Sequence, residues 1–243
     1  MARLLICIPT YNEADNVRPL AEAVFANTSE NVEILFIDDG SPDGTGKLLD
    51  VMTMENHRIH VIHRKGKLGL ATAYIQGFQW GMARGYDWIA EMDCDFSHDP
   101  KHLIEVEKLI KADQYDVLCG SRYVPGGGVS NWSRRRLLLS KSGSVYSRMI
   151  LGFPLHDWTG GFNFWRVKTL EPLKIATVKS KGYAFQIELK YRALIQTLRV
   201  FEFPIVFQER RAGVSKMSGS IVKEAVIGVL NLRLAQRAGK LFE

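Results

Sequence analysis

Short apolar runs that end in acids or hydroxyl-bearing residues recur along the first half of the chain, each followed by a segment with helical spacing. Residues 3–9 (RLLICIP), 32–39 (VEILFIDD), 58–64 (RIHVIHR), 87–93 (DWIAEMD) and 117–121 read as five strands. Between them, residues 14–26 space Val17, Leu20, Ala21, Val24 and Phe25 at helical intervals. Residues 44–53 are expected to be helical, and residues 70–83 carry Ala71, Tyr74, Ile75 and Phe78 on one side of a helix. Asp99-Pro100 starts another, with Asp as N-cap and Pro in the first turn. Strand–helix alternation with short loops predicts an α/β fold with a mostly parallel central sheet flanked by helices on both faces. Ligands of such sheets bind beyond the carboxyl ends of the strands.

The polar clusters sit at those ends. Tyr11-Asn12-Glu13, Asp38-Asp39, Asp93-Cys94-Asp95 and Ser121-Arg122 each follow an apolar run. If the chain stays extended past the fourth strand, Asp93 and Asp95 point the same way. Two carboxylates on one side suit Mg²⁺ or Mn²⁺, with phosphate oxygens and water completing the shell. A solvated acidic loop is the plainer alternative. Asp38 to Thr45 contains turn formers, so a β-turn into a helix competes there with a site that accepts hydrogen bonds from a base or ribose. Neither G-x-G-x-x-G nor G-x-x-x-x-G-K-[ST] occurs, which argues against dinucleotide-dependent dehydrogenases and P-loop NTPases.

After Tyr123 the texture changes. A Pro125–Gly128 loop leads into a stretch with no acid between Asp116 and Asp157, while Arg122, Arg134, Arg135, Arg136, Lys141 and Arg148 are basic. Leu137, Leu138, Leu139, Val145, Tyr146, Met149, Ile150, Leu151 and Phe153 are interleaved with these bases. A basic amphipathic helix of this kind suits a membrane interface; a solvated basic surface or a nucleic-acid patch is the alternative, and no nucleic-acid motif supports the latter. A Gly-rich turn (Thr159-Gly160-Gly161), a helix around 184–197, a strand over 200–207 and a basic C-terminal helix follow. Asp157 suits either a turn-stabilising or an acceptor-shaping role. Gln186 and Glu188 lie on opposite sides of a strand, or about 200° apart on a helix. The six histidines show no ligand spacing and read mostly as surface or packing residues.

The net charge of +6 suits anionic partners. Three cysteines without metal or disulfide spacing point to a reducing compartment. The chain starts directly on a strand with no signal-peptide pattern. No apolar run approaches the roughly 20 residues of a membrane span. The expected location is cytoplasmic, peripheral at the cytoplasmic face of a membrane.

Taken together, PTYNE (9–13), DDGSPDGT (38–45), KLGLATAY (67–74), MDCDFSHDP (92–100), GSRY (120–123), DWTGGFNFWR (157–166), GYAFQIE (182–188) and ERRAGVSK (209–216) resemble the family 2 glycosyltransferases, and most closely their polyprenol (dolichol) monophosphate mannose synthase branch. The resemblance implies a GT-A fold, a Rossmann-like nucleotide-diphospho-sugar transferase architecture, over one catalytic domain. Residues 1–123 would form its nucleotide-sugar half, 124–220 its acceptor half and 221–243 an amphipathic basic helix. It further implies inverting transfer of mannose from GDP-mannose to a polyprenyl (dolichyl) phosphate, with a divalent cation; a membrane-anchoring partner protein is one alternative for what the C-terminal helix meets. By position, Pro9, Tyr11, Glu13, Ile37 and Asp39 match the nucleotide pocket. Asp93, Cys94, Asp95 and Ser97 match the metal and diphosphate site, Asp93, Asp95 and Ser97 as ligands. Arg122, Arg136 and Ser140 match the region that meets the acceptor phosphate, and Arg210 and Lys216 the basic pair that closes over the donor. Cys94 stands where the family usually has Ala, and Ser97 where Gln is common. UDP-glucose as donor, and a non-catalytic nucleotide-sugar-binding subunit, remain as alternatives.

Overall fold

The computed structural model describes residues 2–180, 182–209 and 219–243, without the side chains of residues 183 and 219–225. In chain order the elements are β1 (Leu4–Thr10), α1 (Ala14–Ala26), β2 (Val32–Asp38), α2 (Thr45–Glu55), β3 (Ile59–His63), α3 (Leu70–Met82), β4 (Trp88–Glu91), α4 (Leu103–Ala112), β5 (Val117–Ser121), β6 (Gly128–Val129), α5 (Arg134–Leu151), β7 (Asn163–Arg166), α6 (Val167–Leu170), α7 (Gly182–Ile195), β8 (Val200–Pro204), β9 (Val206–Phe207) and α8 (Gly219–Arg237). Seven strands form one sheet in the order β3-β2-β1-β4-β7-β5-β8. Every pairing in it is parallel except those of β7.

The alternation of the sequence is what builds this sheet. β1 and β2 are apolar on both faces, and both faces are covered. On one side Val17, Leu20, Ala21 and Val24 of α1 pack with Leu4, Ile6, Ile8 and Phe36. On the other, Ala73, Tyr74 and Phe78 of α3 pack with Leu5, Cys7, Leu35 and Ile37.

Helix α3 lies very close to the sheet, and two glycines permit it. A Cβ on Gly77 would sit 2.7 Å from Cys7 Sγ and 3.1 Å from Ile37 Cδ1; one on Gly81 would sit 2.7 Å from Ile89 Cδ1. Gly77→Ala is therefore expected to destabilise the fold by about 1–3 kcal/mol through overpacking, despite the ~1 kcal/mol that alanine gains in helix propensity. Urea denaturation reads the sign; a stabilised variant would mean that α3 rides higher on the sheet.

β7 is the strand of the main sheet that the sequence reading lacked; the short β6 and α6 were not expected either. Asn163–Arg166 is four residues long and runs antiparallel between β4 and β5, with Phe164 opposite both Ala90 and Leu118. Because it is antiparallel, its first residue lies beside the carboxyl ends of its neighbours, so the turn before it, around Gly160 and Gly161, is delivered to the ligand edge of the sheet. The single strand expected over 200–207 is split. β8 pairs with β5, Ile205 N–H donates to Ser121 O at 3.0 Å, and β9 then pairs with β6 in a second small sheet. Pro204 has no N–H to continue the ladder.

Helix α5 exposes Leu138, Val145 and Met149 and buries Ser144, Ser147 and Leu151. It packs against α8, which in turn packs against α7. Among the described residues no helix is long and apolar enough to cross a membrane.

Candidate active site

The ends of β1 and β2 build one wall of the site. Their register pairs Thr10 with Asp38, and Asp39 N–H donates to Thr10 O at 3.0 Å, so Tyr11-Asn12-Glu13 lies next to Asp39. The Asp38–Thr45 turn braces that segment. Asn12, at φ 60°, donates its N–H to Ser41 Oγ at 3.0 Å, and the Ser41 hydroxyl donates to Asp38 at 2.5 Å. Glu13 N–H donates to Thr45 Oγ1 at 3.0 Å, and the Thr45 hydroxyl donates to Asp43 at 2.6 Å. Asp38 and Asp43 are thus turn residues. Asp39 is different: it pairs with Arg64 at 2.8 Å, and burial raises its pKa against the pull of that guanidinium. The exposed Tyr11 ring carries the Lys67 ammonium 4.0 Å from its centroid, a cation–π contact. Pro9 is opposite Ile37 across the strands, and the Ile37 side chain belongs to the core, which leaves only its backbone for a ligand.

β4 stops at Glu91, two residues short of the expected strand. The extended path that would aim Asp93 and Asp95 alike is therefore not taken. The chain turns instead. Phe96 adopts φ 61°, Ser97 N–H closes onto Asp95 Oδ1 at 3.0 Å, and Asp93 N–H donates to His98 Nδ1 at 3.1 Å. Local side-chain acceptors of this kind compete with strand continuation. Cys94 turns its thiol into the core cluster, where burial raises its pKa.

His98 is not a surface histidine. It is buried, stacks on Phe162 at 4.9 Å and meets the edge of Phe207 at 5.3 Å. Burial pushes its pKa down to about 3. The ring is neutral, and the hydrogen bond at Nδ1 assigns its proton to Nε2.

Behind this turn Glu91 is fully buried. It accepts from Trp165 Nε1 at 2.6 Å and from Gln186 Nε2, and burial raises its pKa to about 7. Gln186 Oε1 in turn accepts from Asn163 Nδ2 at 2.9 Å. Glu188, on the opposite side of α7, pairs with Arg192.

Arg122 follows β5. Its Nε and one terminal nitrogen each lie 2.7 Å from the Asp157 carboxylate, and it also donates to Thr159 Oγ1 at 2.8 Å. Asp157 also accepts from Gly160 N–H at 2.9 Å, so it does stabilise the Gly-rich turn. Two cations and these bonds overcome burial and hold its pKa down at about 2. Arg136 lies over the Trp132 ring at 4.0 Å and 3.4 Å from Glu209, and its buried Nε has no hydrogen-bond partner among the described residues. Ser140 Oγ accepts from Tyr123 OH at 2.8 Å.

Part of this set lines one cavity of about 350 Å³; Pro9, Tyr11, Glu13, Ile37, Asp39, Cys94, Asp95 and Ser97 are not among its lining residues. Asp93 and His98 line it from the β4 side, and Arg122, Thr159, Gly160 and Gly161 from the turn. Trp132, Arg136, Leu139, Ser140 and Tyr146 come from around α5, Gln186 and Ile187 from α7, and Val226 and Val229 from α8. Arg210 and Lys216 lie outside the described residues.

The family profile described as Glycosyl transferase family 2 matches residues 5–173. The chain belongs to glycosyl transferase family 2. Among its relatives in this family, a polyprenol monophosphomannose synthase of Mycolicibacterium smegmatis is 48% identical over 228 residues, covering 93% of this chain and 85% of the relative. An undecaprenyl-phosphate mannosyltransferase of Micrococcus luteus is 43% identical, over 97% of this chain and 96% of its own. Among solved structures, glucosyl-3-phosphoglycerate synthase from Mycobacterium tuberculosis, in complex with Mn²⁺, UDP-glucose and phosphoglyceric acid, superposes with a TM-score of 0.68 at 17% identity. That superposition covers 96% of this chain and 79% of the other, and it establishes the shared GT-A fold.

A family 2 transferase with this loop has a donor set suited to a hard divalent cation. Asp93 faces the cavity, Asp95 is buried two residues on, and Ser97 Oγ is buried without a hydrogen-bond partner among the described residues. Among the described residues no cluster of three or more His, Cys, Asp or Glu side chains is placed to hold a metal. Two carboxylates completed by diphosphate and water oxygens need no such cluster. The residues that sequence reading passed over are His98, Glu91 and Lys190. His98 carried a usable signal, since it stands five residues after Asp93 within the same strand-end loop.

Proposed function

We propose that this glycosyltransferase moves mannose, with inversion, from GDP-mannose to a polyprenyl phosphate at a membrane surface, aided by Mg²⁺ or Mn²⁺. The observation that carries the reading is the cavity. It joins the Asp93 loop to an apolar passage between α5 and α8, with arginines along the way. That combination suits an acceptor with an anionic head and a hydrocarbon tail. The names borne by the two mannosyltransferase relatives support the same acceptor class.

The chemistry follows from the groups present. A monophosphate has a second pKa of roughly 6 and is already largely anionic near neutrality. No strong general base is needed. A phosphate oxygen attacks the anomeric carbon, the bond to the β-phosphate oxygen breaks, and the nucleoside diphosphate leaves with the electron pair. Arg136, whose Nε has no partner among the described residues, and Arg122 hold the acceptor phosphate near the donor. His98 fixes the Asp93 backbone. Asp93, Asp95 and Ser97 would hold the cation, which supplies charge stabilisation to the departing diphosphate. Tyr11, Glu13 and Asp39 receive the nucleoside. Arg210 and Lys216 complete the reading as the pair that closes over the donor.

The test is incubation with labelled GDP-mannose, Mg²⁺ or Mn²⁺ and a short polyprenyl phosphate, followed by organic extraction. Label is expected in the organic phase, and none from UDP-glucose. Transfer from UDP-glucose alone, or from neither, contradicts the reading.

The membrane side of the proposal has its own test. Leu138, Val145 and Met149 form one exposed stripe on α5, flanked by Arg134, Arg135, Lys141 and Arg148. On α8, Ile227, Leu230 and Leu234 form another. Interfacial helices bind through such apolar area together with attraction to anionic lipid. The double variant Leu138→Glu, Met149→Glu is expected to lower co-sedimentation with phosphatidylglycerol vesicles at least tenfold. Unchanged co-sedimentation would remove α5 from the membrane contact. A membrane-anchoring partner protein on this face would instead show as capture that needs the partner but not the vesicle.

A further inference from the structure

Lys190 is fully buried in the middle of α7. An ammonium so placed normally meets a carboxylate, since burying an uncompensated cation is costly. Among the described residues no carboxylate lies within ion-pair distance of it; its partners are carbonyls. Nζ donates to Asp157 O at 2.9 Å, to Gly160 O at 2.9 Å and to Trp158 O at 3.5 Å. All three belong to the turn before β7. A lysine head has three donors and no fixed plane, which suits three convergent acceptors.

That turn forms part of the site. Its first residue, Asp157, holds Arg122 bidentately, and its third, Thr159, accepts from the same guanidinium. Thr159, Gly160 and Gly161 line the cavity. The turn is braced from other sides as well: Asp157 N–H donates to Glu202 at 2.8 Å, and Trp158 N–H donates to Ser144 Oγ at 3.2 Å. Those bonds hold its N–H groups, whereas Lys190 gathers three of its carbonyls, one of which, Gly160 O, also accepts from Asn163 Nδ2 at 3.1 Å. Two glycines in a five-residue turn give the backbone freedom that the ammonium removes.

We infer that Lys190 is a positioning residue: its buried ammonium gathers the carbonyls of the Asp157–Gly160 turn and so sets where Arg122 and the Gly160-Gly161 wall stand in the acceptor cavity. Lys190 touches no reacting atom. Displacement of a positioned group by about 1 Å is enough to cost about a hundredfold in rate. The inference rests on the proposed acceptor only for its kinetic consequence, not for the clamp itself.

Lys190→Met keeps the length and removes the charge. In hydrogen exchange, the amides of residues 157–161 are expected to exchange at least tenfold faster, while those of β1 and β2 are unchanged. In kinetics, KM for polyprenyl phosphate is expected to rise at least fivefold, with KM for the sugar nucleotide within twofold. Unchanged exchange at 157–161, or two KM values that rise together, would overturn the inference. If the methionine variant does not fold, Lys190→Gln, which keeps two donors at shorter reach, carries the same readouts. Failure of both to fold overturns it too, because the ammonium is then a condition of folding rather than a positioning device. An unaltered chain inactive with polyprenyl phosphate would count against the proposed substrate, and the exchange measurement, which needs no substrate, would still decide the clamp.

Discussion

Asp95→Asn is expected to reduce sugar transfer by at least about a thousandfold, the scale set by the several kcal/mol that a cation supplies to a leaving group, and to leave the chain folded. The substitution is nearly isosteric. Its side-chain oxygen can still accept from Ser97 N–H, the bond that closes the loop at 3.0 Å. What it removes is the negative charge, and with it the affinity for a hard divalent cation and the counter-charge to the departing diphosphate. Steady-state turnover, with thermal unfolding as the control, reads the result. Turnover within tenfold of the unaltered chain would show that Asp95 is a turn-closing residue only.

Asp157→Ala is expected to destabilise the fold by about 3–5 kcal/mol, the range for breaking a buried ion pair from one side. Arg122 would be left nearly buried without its bidentate partner, and the Gly160 N–H and the Arg122 N–H would lose an acceptor. Against a total stability of about 5–15 kcal/mol, this is a large fraction. The pH dependence gives an independent handle. The Asp157 carboxyl has its pKa lowered to about 2 from an ordinary 3.8. Its stabilising contribution is therefore fully present above the unfolded value and is lost as pH falls through the folded one. That linkage is worth about 2–3 kcal/mol. The truncation costs more than the linkage because it also strands the two N–H donors. Urea denaturation at neutral pH and near pH 3 checks both; equal stability of the variant and the unaltered chain at neutral pH would mean that Arg122 finds another anion.

The sheet was legible where strands are buried on both faces. An apolar run such as VEILFI has one plausible role when helical spacing follows it, and β1, β2, β3 and β5, with α1 and α3, fall within a residue or two of their expected bounds. β7 was not legible. Four residues reading NFWR carry no periodicity, and only its neighbours make it a strand. The same limit hid the buried polar residues of α7. A segment reading FQIELKYR alternates polar and apolar residues, a spacing that gives a helix no single polar face, yet Gln186, Glu188, Lys190 and Arg192 are all buried. What covers them is the turn around Asp157 on one side of the helix, over Lys190, and the 173–180 loop on the other, where Arg192 reaches the carbonyls of Leu173 and Lys174. The Asp157 turn is remote from α7 in sequence; the 173–180 loop precedes α7 directly but returns to pack along it.

The site was legible as a set of strand ends but not as a geometry. Register alone brings Thr10 level with Asp38 and Cys7 level with Glu91, so the clusters that follow β1, β2 and β4 had to gather along one edge. How Asp93 and Asp95 are presented depends on a positive φ at Phe96 and on the imidazole of His98, and neither can be read from spacing. In α5 the residue types were read correctly as basic and amphipathic. Its inward face, however, carries Ser144 and Ser147, while Leu138 and Met149 stand in solvent.

The most direct measurement is the anomalous scattering of manganese in a crystal of this chain grown with GDP-mannose and Mn²⁺. A peak is expected within about 2.5 Å of an Asp95 carboxylate oxygen, with the sugar nucleotide's diphosphate next to it. A manganese peak away from the Asp93–Ser97 loop, with the sugar nucleotide bound there instead, would contradict the account.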